Sequence, residues 1–315
     1  DKSNLDAIAN LFDWAKKERV VSSNPAEYGD FGLRPARTTL ILKHDKGQDS
    51  IYIGDNSPTG GFVFARKSGS ADVFLTTTSL ESNTSKSLFD LRDKSALAFD
   101  RTAAREMSIQ SAKAQLLVSK EGSQWRISKP IPWRADETKV SDLLSKISNA
   151  RASSFVDENP VNLAGYGLDK PLYTITVLLG DNLAKKSLFI GKADGADYYA
   201  KDDSRKPVFK VDSAFVHGFK FKPDDYRSKK IIEFSVSEIN KVVVKQNDST
   251  FVFEKDTTNT WAMRQPGGQK IKTWKVSTLV SDIELFQAES FAAEQAGALA
   301  PYGLSRPVVQ VELFQ

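Results

Sequence analysis

Two short phrases of this chain carry charged side chains at one spacing, Asp90-x-Arg92-x-Lys94 and Asp225-x-Arg227-x-Lys229. On an extended segment residues two apart share a side, so each carboxylate and guanidinium are placed to pair with each other or to clamp a neighbouring loop. A repeated ion pair reads first as architecture, because structural networks position charge as readily as active sites do. A second cluster interleaves rings with cations: Phe219, Lys220, Phe221, Lys222, Tyr226, Lys229 and Lys230. Such a mixture can stack on bases or sugars or touch anionic headgroups, and these seven residues form the candidate interaction surface. The competing reading is a solvated connection whose lysines lay their stems along apolar surface. The counterpart at 86–94 has fewer rings and cations, which makes any such site a specialisation of the second phrase.

Other chemistry has little to stand on. The chain has no cysteine, which removes disulfides, thiolate nucleophiles and cysteine metal sites. His44 and His217 are the only histidines, and neither has a partner at ligand spacing, so no metal and no cofactor is expected. There is no nucleophile elbow, phosphate loop or dinucleotide fingerprint. Asp136-Glu137 and Asp202-Asp203 are adjacent acids in turn-rich contexts, where carboxylates are normally solvated, and they nominate no catalytic pair. No catalytic residue is assigned.

Composition narrows the class further. Lys plus Arg number 44 against 40 Asp plus Glu, a formal charge of +4 spread through the chain, which gives no reason to expect a nucleic-acid partner. With 40% hydrophobic and 27% charged residues the chain reads as an ordinary globular protein, and 315 residues exceed what one hydrophobic core usually serves. No apolar run approaches the roughly 18 residues that span a bilayer, and the opening DKSNLDAIAN lacks a signal pattern. The sequence starts at Asp1 without a methionine, and an upstream segment, processed off or lying outside this sequence, is an expectation.

The elements that must position these residues are written twice. FGLRP at 31–35, YGLDKP at 166–171 and YGLSRP at 302–307 place Gly32, Gly167 and Gly303 at 135 and 136 residues from one another, each followed by Pro35, Pro171 or Pro307. DLRDKSALAF at 90–99 lies over DYRSKKIIEF at 225–234, and Trp125 to Pro130 over Trp261 to Pro266. Val140, Leu143, Leu144 and Ile147 mark one helix face, which recurs as Val276, Leu279, Val280 and Ile283 and, one period earlier, as Leu5, Ile8, Ala9 and Phe12. Alternating segments predict strands near 172–179, 186–190, 198–201, 207–211, 241–246, 250–255, 260–264 and 308–313. Strands in runs divided by single helices predict an α+β fold, a tandem repeat of about 135 residues whose units are mostly antiparallel sheets with flanking helices. The expected divisions are a first unit over 1–138, a second over 139–274 and the start of a third over 275–315, a helix plus a strand. That last strand either completes a sheet of the second unit or opens a repeat that the natural protein continues. Every position of the YGLDKP phrase has a mechanical reading: Gly takes positive φ where the loop enters, Pro fixes φ at the strand's first residue, and the ring and Leu anchor the turn. Its middle residues vary between copies, so the phrase marks where each sheet begins.

These phrases resemble the bacterial family that carries domain of unknown function 4340. The residues that carry the likeness are the YGLDKP and YGLSRP turns with the strand after each, Leu188-Phe189-Ile190-Gly191, Tyr198-Tyr199-Ala200, and Val208-Phe209-Lys210-Val211-Asp212. The resemblance implies a domain that often follows an N-terminal membrane-spanning helix and is commonly encoded beside ABC-transporter components similar to those of gliding motility. It thereby implies an envelope location on the extracytoplasmic side, an anchor outside this sequence, and transporter subunits as protein partners. The family has no established catalytic residues to carry over. The first copy departs from the pattern, with a turn one residue shorter and a Pro58, Gly60-Gly61 turn after Gly54. The expected function is a non-enzymatic accessory or adaptor protein of the cell envelope associated with an ABC-type transporter. Two alternatives are a binder of an anionic envelope polymer or lipid surface through 219–230, and a carboxylate-dependent hydrolase.

Overall fold

The computed structural model describes residues 2–14, 16–295 and 297–315. In chain order the first stretch contains α1 (Lys2–Trp14), β1 (Arg19–Ser22), β2 (Thr38–His44), β3 (Gly47–Asn56), β4 (Phe62–Lys67), β5 (Val73–Thr77), α2 (Ser79–Thr84) and α3 (Leu88–Leu91). Next come β6 (Ala104–Ser111), β7 (Gln115–Glu121), β8 (Gln124–Lys129), β9 (Trp133–Arg134), α4 (Glu137–Asn149), β10 (Ala152–Asp157), β11 (Tyr173–Leu179), β12 (Ala184–Asp194), β13 (Asp197–Asp202), β14 (Val208–Asp212) and α5 (Ser213–His217). The chain closes with β15 (Lys241–Gln246), β16 (Ser249–Lys255), β17 (Trp261–Gln265), α6 (Thr273–Leu285) and β18 (Val309–Phe314). No helix among the described residues is long and apolar enough to cross a membrane.

The chain divides into two compact units, each assembled from three segments. Unit 1 takes Asp1–Asp100, Ile147–Tyr173 and Lys186–His217, and unit 2 takes Arg101–Lys146, Thr174–Lys185 and Gly218–Gln315. Of the first period, β1–β5 fall in unit 1 and β6–β9 in unit 2; of the second, β10 and β12–β14 fall in unit 1 and β11 and β15–β17 in unit 2. Unit 1 contains the order β1-β5-β4-β3-β2 and the run β10-β14-β13-β12. Unit 2 contains the run β11-β6-β7-β8-β9 and the order β17-β16-β15-β18. The strand neighbours of unit 1 pair antiparallel, as do β6-β7-β8-β9 and β17-β16-β15-β18 in unit 2. This is the α+β architecture of antiparallel sheets with flanking helices that the strand pattern predicts.

The helices bury the faces their periodicity marks, with one shift. Val140, Leu143, Leu144 and Ile147 of α4 are all buried, and the Asp136 carboxylate caps the helix by accepting the Lys139 N–H at 3.1 Å. In α6, Val276 and Val280 are buried in the core around Trp261 and Val242, with Leu279 packed against it. In α1 the expected face moves: Leu5 and Ala9 are exposed, and Leu11 is fully buried against Ile53, Val63 and Phe74. Leu11, with Phe12 packed beside it, makes the contact with that core, and Leu5 stays exposed.

The repeated turns work as their residue types require. Gly32, Gly167 and Gly303 hold φ of +66°, +68° and +70°, the left-handed region where a side chain is costly. In the first two copies the turn closes on a second glycine. A Cβ on Gly54 would stand 2.1 Å from the Phe31 carbonyl oxygen, and one on Gly191 would stand 2.1 Å from that of Tyr166, while Leu33 and Leu168 pack against the same two glycines. The prolines sit two or three residues ahead of β2, β11 and β18 rather than on the first strand residue. β18 is paired with β15 over six residues, from Val309 opposite Gln246 to Phe314 opposite Lys241.

Candidate functional site

The Asp-x-Arg phrases do not lie on extended segments. Asp90 falls in α3 and Asp225 in a 3₁₀ turn, Pro223–Tyr226, and each carboxylate closes its own turn instead of pairing with the arginine. Asp90 accepts the Ser87 N–H at 2.9 Å and its hydroxyl at 2.7 Å, and Asp225 accepts the Lys222 N–H at 2.6 Å. Those bonds from Ser87 hold the Asp90 carboxyl below its ordinary range. A short Asp side chain at the third residue of a turn reaches the N–H before it can reach Arg two places on, which is why the expected pairing does not form.

The chain then straightens, and the freed arginine binds a later segment. The Arg92 guanidinium lies 3.6 Å from the centre of the Phe155 ring and makes a bidentate pair with Glu158. Arg227 lies 3.6 Å from the Phe291 ring and 4.6 Å from Trp133, and its Nη1 donates to Glu294 at 2.7 Å and Asp224 at 2.9 Å. Phe-x-x-Glu therefore repeats at 155–158 and 291–294, a shift of 136 that the phrase comparison missed and that the offset itself could have exposed. The Arg227 side chain is only 2% exposed, and its Nε has no hydrogen-bond partner among the described residues. Planar stacking on a ring with a carboxylate at the edge suits arginine, not lysine. The backbone repeats as well. Ala96 N–H donates to the Ala150 carbonyl at 2.8 Å and Ala152 N–H to that of Lys94 at 2.7 Å, matched by Ile231 to Phe286 at 3.4 Å and Ala288 to Lys229 at 2.8 Å.

What the second copy does differently is visible one turn on. Ala96 and Leu97 are both 0% exposed, whereas Ile231 and Ile232, at the equivalent positions, are 47% and 45% exposed. In the first copy the Arg205 Nη2 bonds the carbonyls of Ser95 and, at 3.2 Å, Ala96; in the second the Arg134 Nη2 donates to the carbonyl of Lys230, the Ser95 equivalent, at 2.9 Å. Leu285 and Phe286 are exposed beside Ile231. Trp133, also partly exposed, ties in through its Nε1 donating to the Ser228 carbonyl at 3.0 Å, and lines a depression of about 600 Å³ together with Ile231, Ile127 and Pro132. The result is an apolar surface in unit 2 edged by Arg126, Arg134 and Glu121. A larger cavity of about 670 Å³ lies at Arg227, where Lys139, Lys146 and Lys229 face Asp136, Asp142 and Glu289. Burial lowers the Lys146 pKa there.

The aromatic and cationic segment 219–230 keeps only part of its expected character. Phe219 is fully buried under the Lys146 ammonium, which leaves it no face for a partner. Phe221 and Tyr226 are half-buried against each other with ring centres 5.8 Å apart, and burial raises the Tyr226 pKa. Lys220, Lys222 and Lys229 are exposed and Lys230 is half-buried. The ordered rings are thus used inside the unit.

The acid pairs are also engaged. Asp202 is buried, contrary to the expected solvation, because Ser204 and the Arg205 Nε at 3.0 Å satisfy its oxygens. Glu137 accepts the Trp125 N–H at 2.6 Å. His44 lies 3.3 Å from Asp49, and the His217 ring meets Tyr198 edge-on. Among the described residues no three His, Cys, Asp or Glu side chains group to hold a metal ion.

A model of the domain of unknown function DUF4340 matches the chain twice, over residues 1–126 and 125–307. No curated protein and no solved structure matches it.

Proposed function

The chain belongs to the DUF4340 family, with two copies of the domain in tandem, and from that premise we propose that it is a non-enzymatic accessory protein of the bacterial cell envelope that docks onto subunits of an ABC-type transporter. The observation that carries the docking role is the exposure of Ile231 and Ile232 where the first copy buries Ala96 and Leu97. Ile231 is larger than the Ala96 it replaces and Ile232 equals Leu97 in size, and both stand beside exposed Leu285 and Phe286. A contiguous apolar surface rimmed by charge is what a protein partner covers, with aromatic and Arg side chains supplying the anchors. The transporter as partner, the envelope location and an anchor outside this sequence are the expectations that the family resemblance brings.

The test is a pull-down from detergent-solubilised membranes that contain the transporter subunits encoded beside this protein. The wild-type chain retains a subunit, and Ile231→Asp combined with Phe286→Asp reduces retention by about tenfold or more, because a charge buried at an interface is left unpaired. Retention of no subunit by the wild-type chain, or equal retention by the double variant, overturns the reading.

A further inference from the structure

The two Asp-x-Arg turns close alike and differ at the residue before the closing carboxylate. In Ser87-Leu88-Phe89-Asp90 and in Lys222-Pro223-Asp224-Asp225 the last side chain accepts the N–H of the first, so Asp224 stands where Phe89 stands. In unit 1 the Phe89 ring meets Phe155 edge-on with centres 6.1 Å apart, and the Lys94 ammonium lies 4.3 Å from the centre of the Phe89 ring. Phe89 thus bridges the ring that Arg92 stacks on and the lysine that follows the turn.

Unit 2 keeps both flanks and omits the ring between them. Phe291 repeats Phe155 under its own arginine, and Lys229 repeats Lys94 but is exposed and donates to the Glu289 carbonyl at 3.0 Å. Asp224 turns to Arg227 at 2.9 Å. The cavity of about 670 Å³ opens where the ring is missing, since Asp224, Lys229 and Phe291 all line it, and its size is that of a ligand site. Trp133, the other ring that meets Phe291, lines the neighbouring depression instead. In unit 1 the turn's own phenylalanine takes this place, so the opening in unit 2 follows from the residue at 224. The exposed charges on its lining are Asp142, Asp224, Asp225 and Glu289 against Lys139 and Lys229. That surplus of carboxylate favours a cation beside whatever enters.

We propose that this cavity receives the phenyl ring of a phenylalanine flanked by basic residues in a partner polypeptide, set against Phe291 and Lys229 as Phe89 is set against Phe155 and Lys94. An edge-to-face ring pair and an ammonium over the ring supply the attraction, and the rim carboxylates select the flanking charge. A polypeptide is the occupant because a phenylalanine side chain already fills the equivalent place in unit 1. The site shares no residue with the Ile231–Phe286 surface and stands without the docking role proposed for that surface.

The probe is the peptide acetyl-Lys-Phe-Lys-amide with a fluorine on its ring, followed by fluorine NMR as the whole 315-residue protein is added. Binding with a Kd of about 1 mM or tighter is expected, with resonances of Phe291 and Lys229 shifting in the protein. Asp224→Phe supplies the ring from the chain itself and weakens binding about tenfold or more. Asp224→Ala removes the same carboxylate but leaves the cavity open, and holds Kd within about threefold of wild type. Asp224 is exposed, so neither variant should disturb the fold. The peptide with alanine in place of phenylalanine tests the ring without any variant and should not bind, and acetyl-Glu-Phe-Glu-amide should bind more weakly than the lysine form. No binding at about 1 mM protein, equal binding by the alanine peptide, or equal losses in the two Asp224 variants overturns the proposal. So does a dimer, seen by sedimentation, that Asp224→Phe dissociates, because the occupant is then a second copy of the chain.

Discussion

The Arg227 guanidinium is stacked 3.6 Å from the centre of the Phe291 ring, and 135 residues earlier Arg92 stands over Phe155 at the same 3.6 Å. One device thus fastens the segment after each Asp-x-Arg turn to a Phe-x-x-Glu segment more than sixty residues downstream. The two differ in burial. Arg227 is almost wholly enclosed between Trp133 and Phe291, and Arg92 keeps about a fifth of its side chain in water.

Burial decides what the arginine is worth, and the two positions can be compared directly. Arg227→Ala removes a desolvated stack on two rings and two hydrogen bonds to carboxylates that are themselves half in solvent, so unfolding stability falls by about 2–3 kcal/mol. Arg92→Ala, whose ion pair is more open, costs about 1 kcal/mol. Arg227→Lys recovers only part of the loss, since an ammonium cannot stack as a plane. Urea unfolding of the three variants measures this, and equal losses at 92 and 227 would contradict the role given to burial.

Much of this fold is legible in the sequence because the repeat offers two readings of each element. The strands from β11 to β18 start and end within a few residues of the expected ranges, and the α4 face is the one its spacing marks. The site was harder to see. Asp90 and Asp225 look like partners of Arg92 and Arg227 when only the phrase is read, yet a turn brings a backbone N–H closer than the guanidinium. Phe155, Glu158, Phe291 and Glu294 escaped because long-range partners leave no local pattern. Phe219 reads as a surface ring among lysines, and only packing against α4 shows that it is internal. The exposure of Ile231 and Ile232 depends on what lies over them, which no periodicity of their own segment records.

Close approach, rather than backbone angle, makes Gly54 and Gly191 necessary. Alanine at either position places a Cβ 2.1 Å from a carbonyl oxygen of the turn, and backbone must move, at a cost of about 2–4 kcal/mol. Gly303→Ala meets no atom within 4 Å and pays only for its left-handed angle, about 1 kcal/mol. Thermal unfolding should therefore rank 54 and 191 well above 303; a Gly303 variant as damaged as the other two would show that its turn is covered after all.

Acid titration separates two partners of one carboxylate. Asp194 accepts from Lys210 at 2.6 Å and from the Tyr199 hydroxyl at 2.7 Å, and Lys210, with Tyr199 second, holds its pKa below the ordinary 3.8. A folded-state pKa below the unfolded one means that the contribution is fully present above pH 3.8 and disappears as pH falls through the lowered value. Lys210→Met should raise the Asp194 midpoint in a carbon-13 NMR titration more than Tyr199→Phe does, and the reverse order would refute the ranking of the two partners.

The same offset sets the sharpest test of what is fold and what is surface. Leu97 is enclosed in unit 1, so Leu97→Ala opens a cavity and lowers stability by about 3 kcal/mol. Ile232 stands at the equivalent position with nearly half its surface in water, and Ile232→Ala should change stability by less than about 1 kcal/mol. Ile231→Ser should be as mild, against a loss of about 2 kcal/mol for Ala96→Ser, whose hydroxyl would be buried beside the Ala150 segment. If denaturant midpoints fall equally at 97 and 232, the isoleucines belong to the core of unit 2 and are not available to a partner. A large loss at 97 with little change at 232 is the outcome that the proposed docking surface expects.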